Sequence, residues 1–253
     1  MLKKLYIYDM RQYAKMLLGA CLSLVGAGVV ACLLSLLSSI LPQNLAFIPM
    51  IPYFFLLMGI FFGATLISLY IFLHYYRSFF TDTGYLTFVF PATPKEQLDA
   101  KILSGITFTV AIAISAILGF LIALFPLQGF DIFHIFISTS EYTGFVYDIL
   151  LVFSVLVSLV SQVFMLYLVI TLGSIFFSKH KIIGSVLFYF VVNTVVSFAE
   201  GIIMVIIFAI MFSAPASVAA LLTILVSLLF SIGTLIAAYI INLRILQRRL
   251  NLE

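Results

Sequence analysis

Six long apolar runs divide this 253-residue chain, and only one of them contains a charged residue, Glu200. A helix needs about 20 predominantly apolar residues to cross about 30 Å of hydrocarbon, and every run reaches that length. Because a backbone in lipid must satisfy its own hydrogen bonds, the runs are expected to be helical. The sequence therefore predicts an all-α polytopic membrane protein with six transmembrane helices, at approximately residues 16–41, 46–73, 102–125, 149–177, 182–212 and 218–243.

The composition excludes the other broad classes. Apolar residues make up 65% of the chain and charged residues 8%, and the mean hydropathy is +1.32. A soluble domain carries about 25% charged residues, and a disordered chain is polar. The segments between the runs are too short for a second domain, so residues 1–253 are predicted to form a single transmembrane domain.

The basic residues lie on alternate connections. All 12 Lys and Arg residues precede the first run, follow the sixth, or lie between runs two and three or runs four and five. The remaining connections carry only the acidic residues Asp131, Glu141 and Asp148. Basic residues favour the cytoplasmic side of a membrane, so both termini are predicted to be cytoplasmic. An even number of spans satisfies this charge pattern and an odd number does not.

Two segments allow more than one interpretation. Residues 1–15 alternate apolar and basic positions at helical spacing, which predicts an N-terminal amphipathic interfacial helix on the cytoplasmic membrane surface; a plain basic anchor before the first span is the alternative. The fifth run, 182–212, has 31 residues and would measure about 46 Å as a straight helix. It either tilts strongly or ends in a re-entrant segment buried in protein.

Catalytic motifs are missing from the sequence. There is no H-E-x-x-H, G-x-S-x-G, C-x-x-C or G-x-x-x-x-G-K-[ST] pattern, and the topology separates the three histidines. We therefore expect no enzyme activity, no metal site and no bound cofactor. No nucleic-acid partner is expected either.

Glu200 is the most unusual residue within the spans. A carboxylate at membrane depth costs about 2.5–3.5 kcal/mol on insertion scales, so it needs a partner, a proton or water. Asn193 and Ser197 lie on the same side of the predicted helix. These residues predict a polar contact at a transport pathway or subunit interface; a carboxyl near the headgroups, or one hydrogen-bonded for packing, is the equally weighted alternative.

Small residues recur every fourth position in the first span, beginning with Gly19, Ser23 and Ala27. Small side chains let membrane helices approach closely. The row rotates by about 40° per step on a helix of 3.6 residues per turn, so only three or four members can face one partner. The row predicts a helix-packing face, within the subunit or between subunits.

The connection between spans two and three is longer than a simple turn requires. It contains Asp82, Gly84 and Tyr85, and then Thr93-Pro94-Lys95-Glu96. The last four residues form a capping box with proline at the first helical position, which predicts a helix beginning there and continuing into span three. The connection predicts a cytoplasmic docking surface, with an ordinary interfacial loop as the alternative.

This stretch resembles small bacterial ATP-binding-cassette transporter permeases of the type-2 exporter class, of the clostridial six-span kind. The matching positions are Tyr76-Arg77, Asp82, Gly84-Tyr85-Leu86-Thr87, Phe90-Pro91 and Lys101. Thr83 stands where the family pattern has a second acidic residue, and Phe90 replaces leucine. The match covers about 30 residues, and the predicted architecture is also similar.

The resemblance implies a multi-pass permease subunit of the bacterial cell membrane. Its partners would be a second permease copy, identical or different, and separate ATP-binding-cassette ATPase subunits that bind the ATP. The residues implied to contact the ATPase are Asp82, Gly84, Tyr85, Glu96 and Lys101 in the first cytoplasmic connection and Lys179, His180 and Lys181 in the second. Spans one and five would meet across the dimer, which places Gly19, Ser23, Ala27, Asn193, Ser197 and Glu200 near the translocation route.

The leading hypothesis is therefore an ATP-driven exporter subunit. Its substrate should be amphipathic or apolar, because the spans hold only one ionisable group and few amides. The alternative is a stand-alone secondary carrier, channel or membrane scaffold that is not coupled to ATP.

Overall fold

The structure, a computed structural model, describes residues 2–38, 50–80, 93–128, 145–177, 180–210 and 216–250. The regular structure in these ranges is entirely α-helical, in agreement with the predicted class. The helices are α1 (Leu2–Ser38), α2 (Met50–Phe80), α3 (Pro94–Gln128), α4 (Phe145–Phe176), α5 (Lys181–Ile210) and α6 (Ala216–Leu250).

Five stretches of the described helices are long and apolar enough to cross a membrane: Leu2–Leu36, Pro94–Phe125, Tyr147–Phe176, Lys181–Ala209 and Val218–Gln247. Their outward surfaces are apolar, with side chains such as Leu22, Phe198 and Phe208 about 70% exposed. A predominantly apolar exterior of this kind is expected of a membrane-embedded protein. The predicted span 46–73 begins outside the described residues and continues into α2, so the sixth crossing stays a prediction.

The helices pack in two groups. α1 runs along α3, with α2 against both, while α4 packs between α5 and α6. α3 and α2 also contact α4, which joins the two groups. α5 lies at the edge of the second group, and no residue in its most apolar stretch is fully buried.

Glycines set the closest helix crossings. A Cβ atom on Gly28 of α1 would meet the backbone of Gly119 in α3, and one on Gly173 of α4 would meet the backbone of Ser185 in α5. Only hydrogen fits at these positions, because the neighbouring atoms belong to rigid helical backbone. Close backbone approach adds dispersion contacts, which drive helix association where no hydrophobic effect separates helix from lipid.

An aromatic cluster fills the junction between the two groups. The Tyr75 and Tyr167 rings stack with their centroids 4.2 Å apart, and Tyr13 packs on Phe108 at 5.1 Å. All four residues are fully buried. The cluster therefore fixes α1, α2, α3 and α4 relative to one another near the end of the bundle that the charge pattern predicts to be cytoplasmic.

Two details differ from the simplest expectation. The backbone is helical without a break from Leu2 to Ser38, so a separate interfacial helix over residues 1–15 is not confirmed. Asp9 and Tyr13, which lie within that segment, are buried against the bundle. α5 is also continuous to Ile210, so no fold-back occurs within the described part of the fifth run.

Candidate functional site: a polar cleft between three helices

A cleft with polar walls lies between α4, α5 and α6. Its lining residues recur at three- and four-residue intervals on each helix, the spacing that places side chains on one helical face. They are Ser158, Ser161, Gln162, Met165 and Val169 of α4, Tyr189, Val192, Asn193, Val196 and Glu200 of α5, and Phe230, Ser231 and Thr234 of α6.

The cleft is small and can hold water. Its volume is about 90 Å³, room for a few water molecules when each needs about 10–15 Å³ on the same measure. The hydroxyl oxygens of Ser161 and Thr234 lie 2.9 Å apart and close its α4–α6 side with a hydrogen bond. Gln162 and Asn193 are exposed, so the cleft opens to the outside of the chain.

Among the described residues that line the cleft, Glu200 is the only acidic one and none is basic. Its side chain is half-buried, and it makes no hydrogen bond or ion pair with any residue in the described ranges. The cleft thus combines one negative charge with amides and hydroxyls inside an apolar helical bundle. Such a site favours a cation, a proton or ordered water.

The structure brings only part of the predicted pathway set together. Asn193 and Glu200 share the cleft, whereas Ser197 is exposed and does not line it. Gly19, Ser23 and Ala27 lie on the outward surface of α1.

The small-residue row rotates as predicted. Further along α1, Ala31 and Ser35 turn inward and are buried. The Gly19–Ser23–Ala27 face therefore has open space in front of it, and the close packing of α1 against α3 uses Gly28 instead.

Asp82, Gly84, Tyr85 and Lys179 lie outside the described residues. Glu96 belongs to the predicted capping box, which is confirmed: the Thr93 amide donates to Glu96 Oε2 at 3.1 Å, and the Glu96 amide donates to Thr93 Oγ1 at 3.3 Å. α3 begins at Pro94, the predicted first helical position. This cap fixes where the connection between α2 and α3 ends.

Lys181 joins the two predicted docking connections. Its ammonium group donates to the carbonyl oxygen of Phe80, the last residue of α2, at 3.4 Å. A cation at this position also complements the negative end of the α2 dipole. The first connection begins after Phe80 and the second ends at Lys181, so the helix ends that border the two connections are in contact. His180 is exposed beside them.

Lys101 faces the interior of the bundle. It is 7% exposed and donates a 2.5 Å hydrogen bond to Oδ1 of Asp9, which is 2% exposed. His74 Nε2 lies 3.8 Å from the same carboxylate oxygen and 3.5 Å from the Lys101 ammonium nitrogen. The Lys101 carbonyl accepts a hydrogen bond from Tyr167. Its docking role stays a prediction, and its observed contacts are internal.

The sequence analysis did not identify this Asp9–His74–Lys101 cluster. The available signal was that His74 directly follows the second apolar run, Lys101 directly precedes the third, and Asp9 is the only acidic residue before the first. A second group of buried polar side chains joins α2, α4 and α6. The Thr171 hydroxyl of α4 donates to Asn242 Oδ1 of α6 at 2.8 Å, and the Tyr75 hydroxyl of α2 lies 3.2 Å from the Thr171 hydroxyl.

No family model, characterised protein or solved structure matches this chain. Within the described ranges, no group of three or more His, Cys, Asp or Glu residues is placed to hold a metal ion.

Proposed function

We propose that this chain is the membrane-spanning permease subunit of an ATP-driven exporter in a bacterial cell membrane. It has six spans and two cytoplasmic termini, and residues 1–15 form the amphipathic, cytoplasmic part of α1. It carries no catalytic site, because ATP is hydrolysed by a separate ATP-binding-cassette subunit.

The Lys181–Phe80 contact is the observation that carries this proposal. It joins the end of α2 to the start of α5, at the end of the bundle predicted to be cytoplasmic. These helix ends border the two connections that the family resemblance assigns to ATPase docking. A composite surface made of two connections can bind one rigid partner. It can also transmit a movement of that partner to α2, α3, α4 and α5 together, because each of these helices ends or begins there.

The rest of the molecule fits a transport subunit. The Gly19–Ser23–Ala27 face of α1 is available to a second permease copy, identical or different. The polar cleft supplies a site at membrane depth for an amphipathic substrate. ATP binding would close the ATPase dimer, and the docked connections would convert that closure into a change in helix packing.

Co-purification tests the proposal directly. The full chain, extracted gently from its native membrane, should retain a soluble ATPase with a phosphate-loop signature and show ATP turnover. Asp82→Arg or Gly84→Trp should abolish ATPase association while membrane insertion persists. Asp148→Arg, on a connection predicted to lie outside, is the matched control and should keep the complex. Unchanged complex formation in both cytoplasmic variants would contradict the docking role.

A stand-alone secondary carrier is the second candidate, and the exposure of Glu200 to a polar cleft favours it. Such a carrier would couple substrate movement to protonation of that carboxylate. Flux that requires a pH gradient, persists without ATP and disappears in Glu200→Gln would support this candidate over the exporter.

A further inference from the structure

We propose that the polar cleft between α4, α5 and α6 binds the ammonium head of a monocationic alkylammonium amphiphile, with Glu200 as the counter-ion. This inference rests on the proposed transport function, since it names the class of substrate that the subunit would carry. It begins from the unpaired carboxylate of Glu200.

The charge of the lining selects the charge of the ligand. The lining residues that the structure describes include one carboxylate and no lysine, arginine or histidine. Phosphate and carboxylate headgroups would meet repulsion from Glu200 without a compensating cation. A singly positive headgroup neutralises Glu200 and removes the cost of an isolated charge at membrane depth.

The polar groups of the lining suit an ammonium ion. A primary ammonium has three N–H donors and no acceptor. Oxygen acceptors are available from Glu200, the Asn193 and Gln162 amides, and the hydroxyls of Ser158 and Ser231. Tyr189 and Phe230 add two aromatic rings, whose faces attract organic cations.

The same lining is less suited to a metal ion. Ca²⁺ takes six to eight oxygen ligands and Mg²⁺ an octahedral set, usually with one or two carboxylates among them. Here the single carboxylate is accompanied by the apolar side chains of Met165, Val169, Val192 and Val196. Apolar walls are compatible with the methylene groups next to an amine and contribute nothing to metal coordination.

The surroundings of the cleft can accommodate an alkyl tail. Gln162 and Asn193 are exposed, so a headgroup can enter from the outside of the chain. The outer surface of α5 on one flank of the cleft is apolar, with Val186 41% and Phe190 63% exposed. An amphiphile could place its head among the polar groups and its tail along this surface, partly in lipid. A volume of about 90 Å³ admits a small headgroup.

Binding of dodecylamine tests the inference, with dodecanol as the neutral probe of the same length. The full-length chain in phosphatidylcholine nanodiscs should bind radiolabelled dodecylamine more tightly than dodecanol. Glu200→Gln should weaken dodecylamine binding about tenfold or more, the usual effect of losing a charged hydrogen-bond partner, and leave dodecanol binding unchanged. Asp148→Asn, which removes a carboxylate from α4 away from the cleft, should bind like the parent protein.

Phe230→Leu and Asn193→Ala give a second test if Glu200→Gln does not fold, and each should weaken dodecylamine binding selectively. Equal binding of the two probes, or unchanged dodecylamine binding in the cleft variants, would overturn the inference. Displacement of dodecylamine by equimolar Na⁺ or K⁺ would also overturn it and indicate a metal-ion site.

The same preparations separate this inference from the proposed function. An ATPase that co-purifies with a chain lacking amine preference leaves the exporter proposal in place and removes the ligand class. Amine binding that depends on Glu200, in a chain that retains no ATPase, keeps the ligand class and contradicts the exporter proposal.

Discussion

The ammonium group of Lys101 donates a hydrogen bond to the carboxylate of Asp9, which lies 92 positions earlier in the chain. Both side chains are almost completely buried. The pair joins α1 to α3 at the end of the bundle where His74 of α2 also lies within 4 Å of the same carboxylate oxygen. This interaction holds three helices together beside the connection that we propose as the ATPase docking surface.

Removing one member of this pair should destabilise the protein. Lys101→Met leaves the Asp9 carboxylate buried without its cation, and breaking a buried ion pair in this way costs about 3 kcal/mol or more. The apparent melting temperature of the detergent-solubilised protein, followed by size-exclusion chromatography after heating, should fall by several degrees. Asp9→Asn should have a similar effect.

The matched control is Lys95→Met, because Lys95 is an exposed lysine in the first turn of the same helix. It should leave the melting temperature unchanged. The double variant Asp9→Leu with Lys101→Met should recover part of the loss, since replacing both charges by apolar groups leaves no unpaired ion. A Lys101→Met protein as stable as the parent would show that the buried pair contributes nothing.

A side chain at Gly28 should separate α1 from α3. A Cβ atom there would lie 2.2 Å from the carbonyl oxygen of Gly119, so the two helices must move apart. Gly28→Leu should lower stability by about 1–3 kcal/mol, the usual cost of overpacking, and reduce the yield of monodisperse protein. Gly26→Leu is the control, because Gly26 has open space where its Cβ would be. Equal losses in both variants would contradict the close crossing.

The apolar runs predicted which segments are helical better than they predicted where each helix begins. The apolar runs begin at residues 16 and 102, whereas α1 begins at Leu2 and α3 at Pro94. Hydrophobicity measures the part of a helix that lipid can surround, and polar turns continue beyond it. The start of α3 was predictable because the capping box is a local signal, in which Thr93 and Glu96 are three residues apart.

Contacts between distant helices were not predictable in the same way. Asn193 and Glu200 share a helical face at a spacing of seven residues, so their association follows from local geometry. Their neighbours Ser158, Gln162 and Thr234 depend on the register of α4 and α6, which no local pattern specifies. The resemblance implies an ATPase contact for Lys101, which stays a prediction, and no local pattern predicts its observed pairing with Asp9.

The small-residue row shows that a difference of one residue changes which helix face makes the contact. Ala27 belongs to the predicted face and points outward, whereas Gly28, the next residue, makes the closest crossing with α3. Successive residues differ by about 100° around a helix. The spacing of small residues therefore predicted that α1 is a packing helix, but it did not determine which face of α1 packs within the subunit.

The capping box should control the start of α3. Thr93→Ala removes the hydroxyl that accepts the Glu96 amide hydrogen bond, and Glu96→Ala removes the carboxylate that accepts from the Thr93 amide. Loss of an N-cap costs about 1 kcal/mol. Hydrogen exchange of the Glu96 and Gln97 amides should therefore accelerate about fivefold, because local opening becomes easier by that amount.

Lys95→Ala tests whether this effect belongs to the cap, since Lys95 is exposed and takes no part in the reciprocal hydrogen bonds. It should leave the exchange rates unchanged. If the capping box also positions the docking connection, Thr93→Ala should weaken ATPase association without abolishing it. Unaltered exchange in both cap variants would show that α3 is fixed by its tertiary contacts alone.

The outward face formed by Gly19, Ser23 and Ala27 should be required for association with a second permease copy. Gly19→Leu or Ala27→Leu adds bulk on an exposed surface, and no atom of the described residues lies within 4 Å of a Cβ at Gly19. The subunit itself should therefore fold normally. Bulk on a small-residue face prevents the close backbone approach that membrane helix pairs use. Native mass spectrometry should therefore show complexes with two permease chains for the parent protein and one for the variants. Ala237→Leu, at an exposed alanine on α6, should preserve the pair; a pair that also survives both α1 variants would exclude this face from the interface.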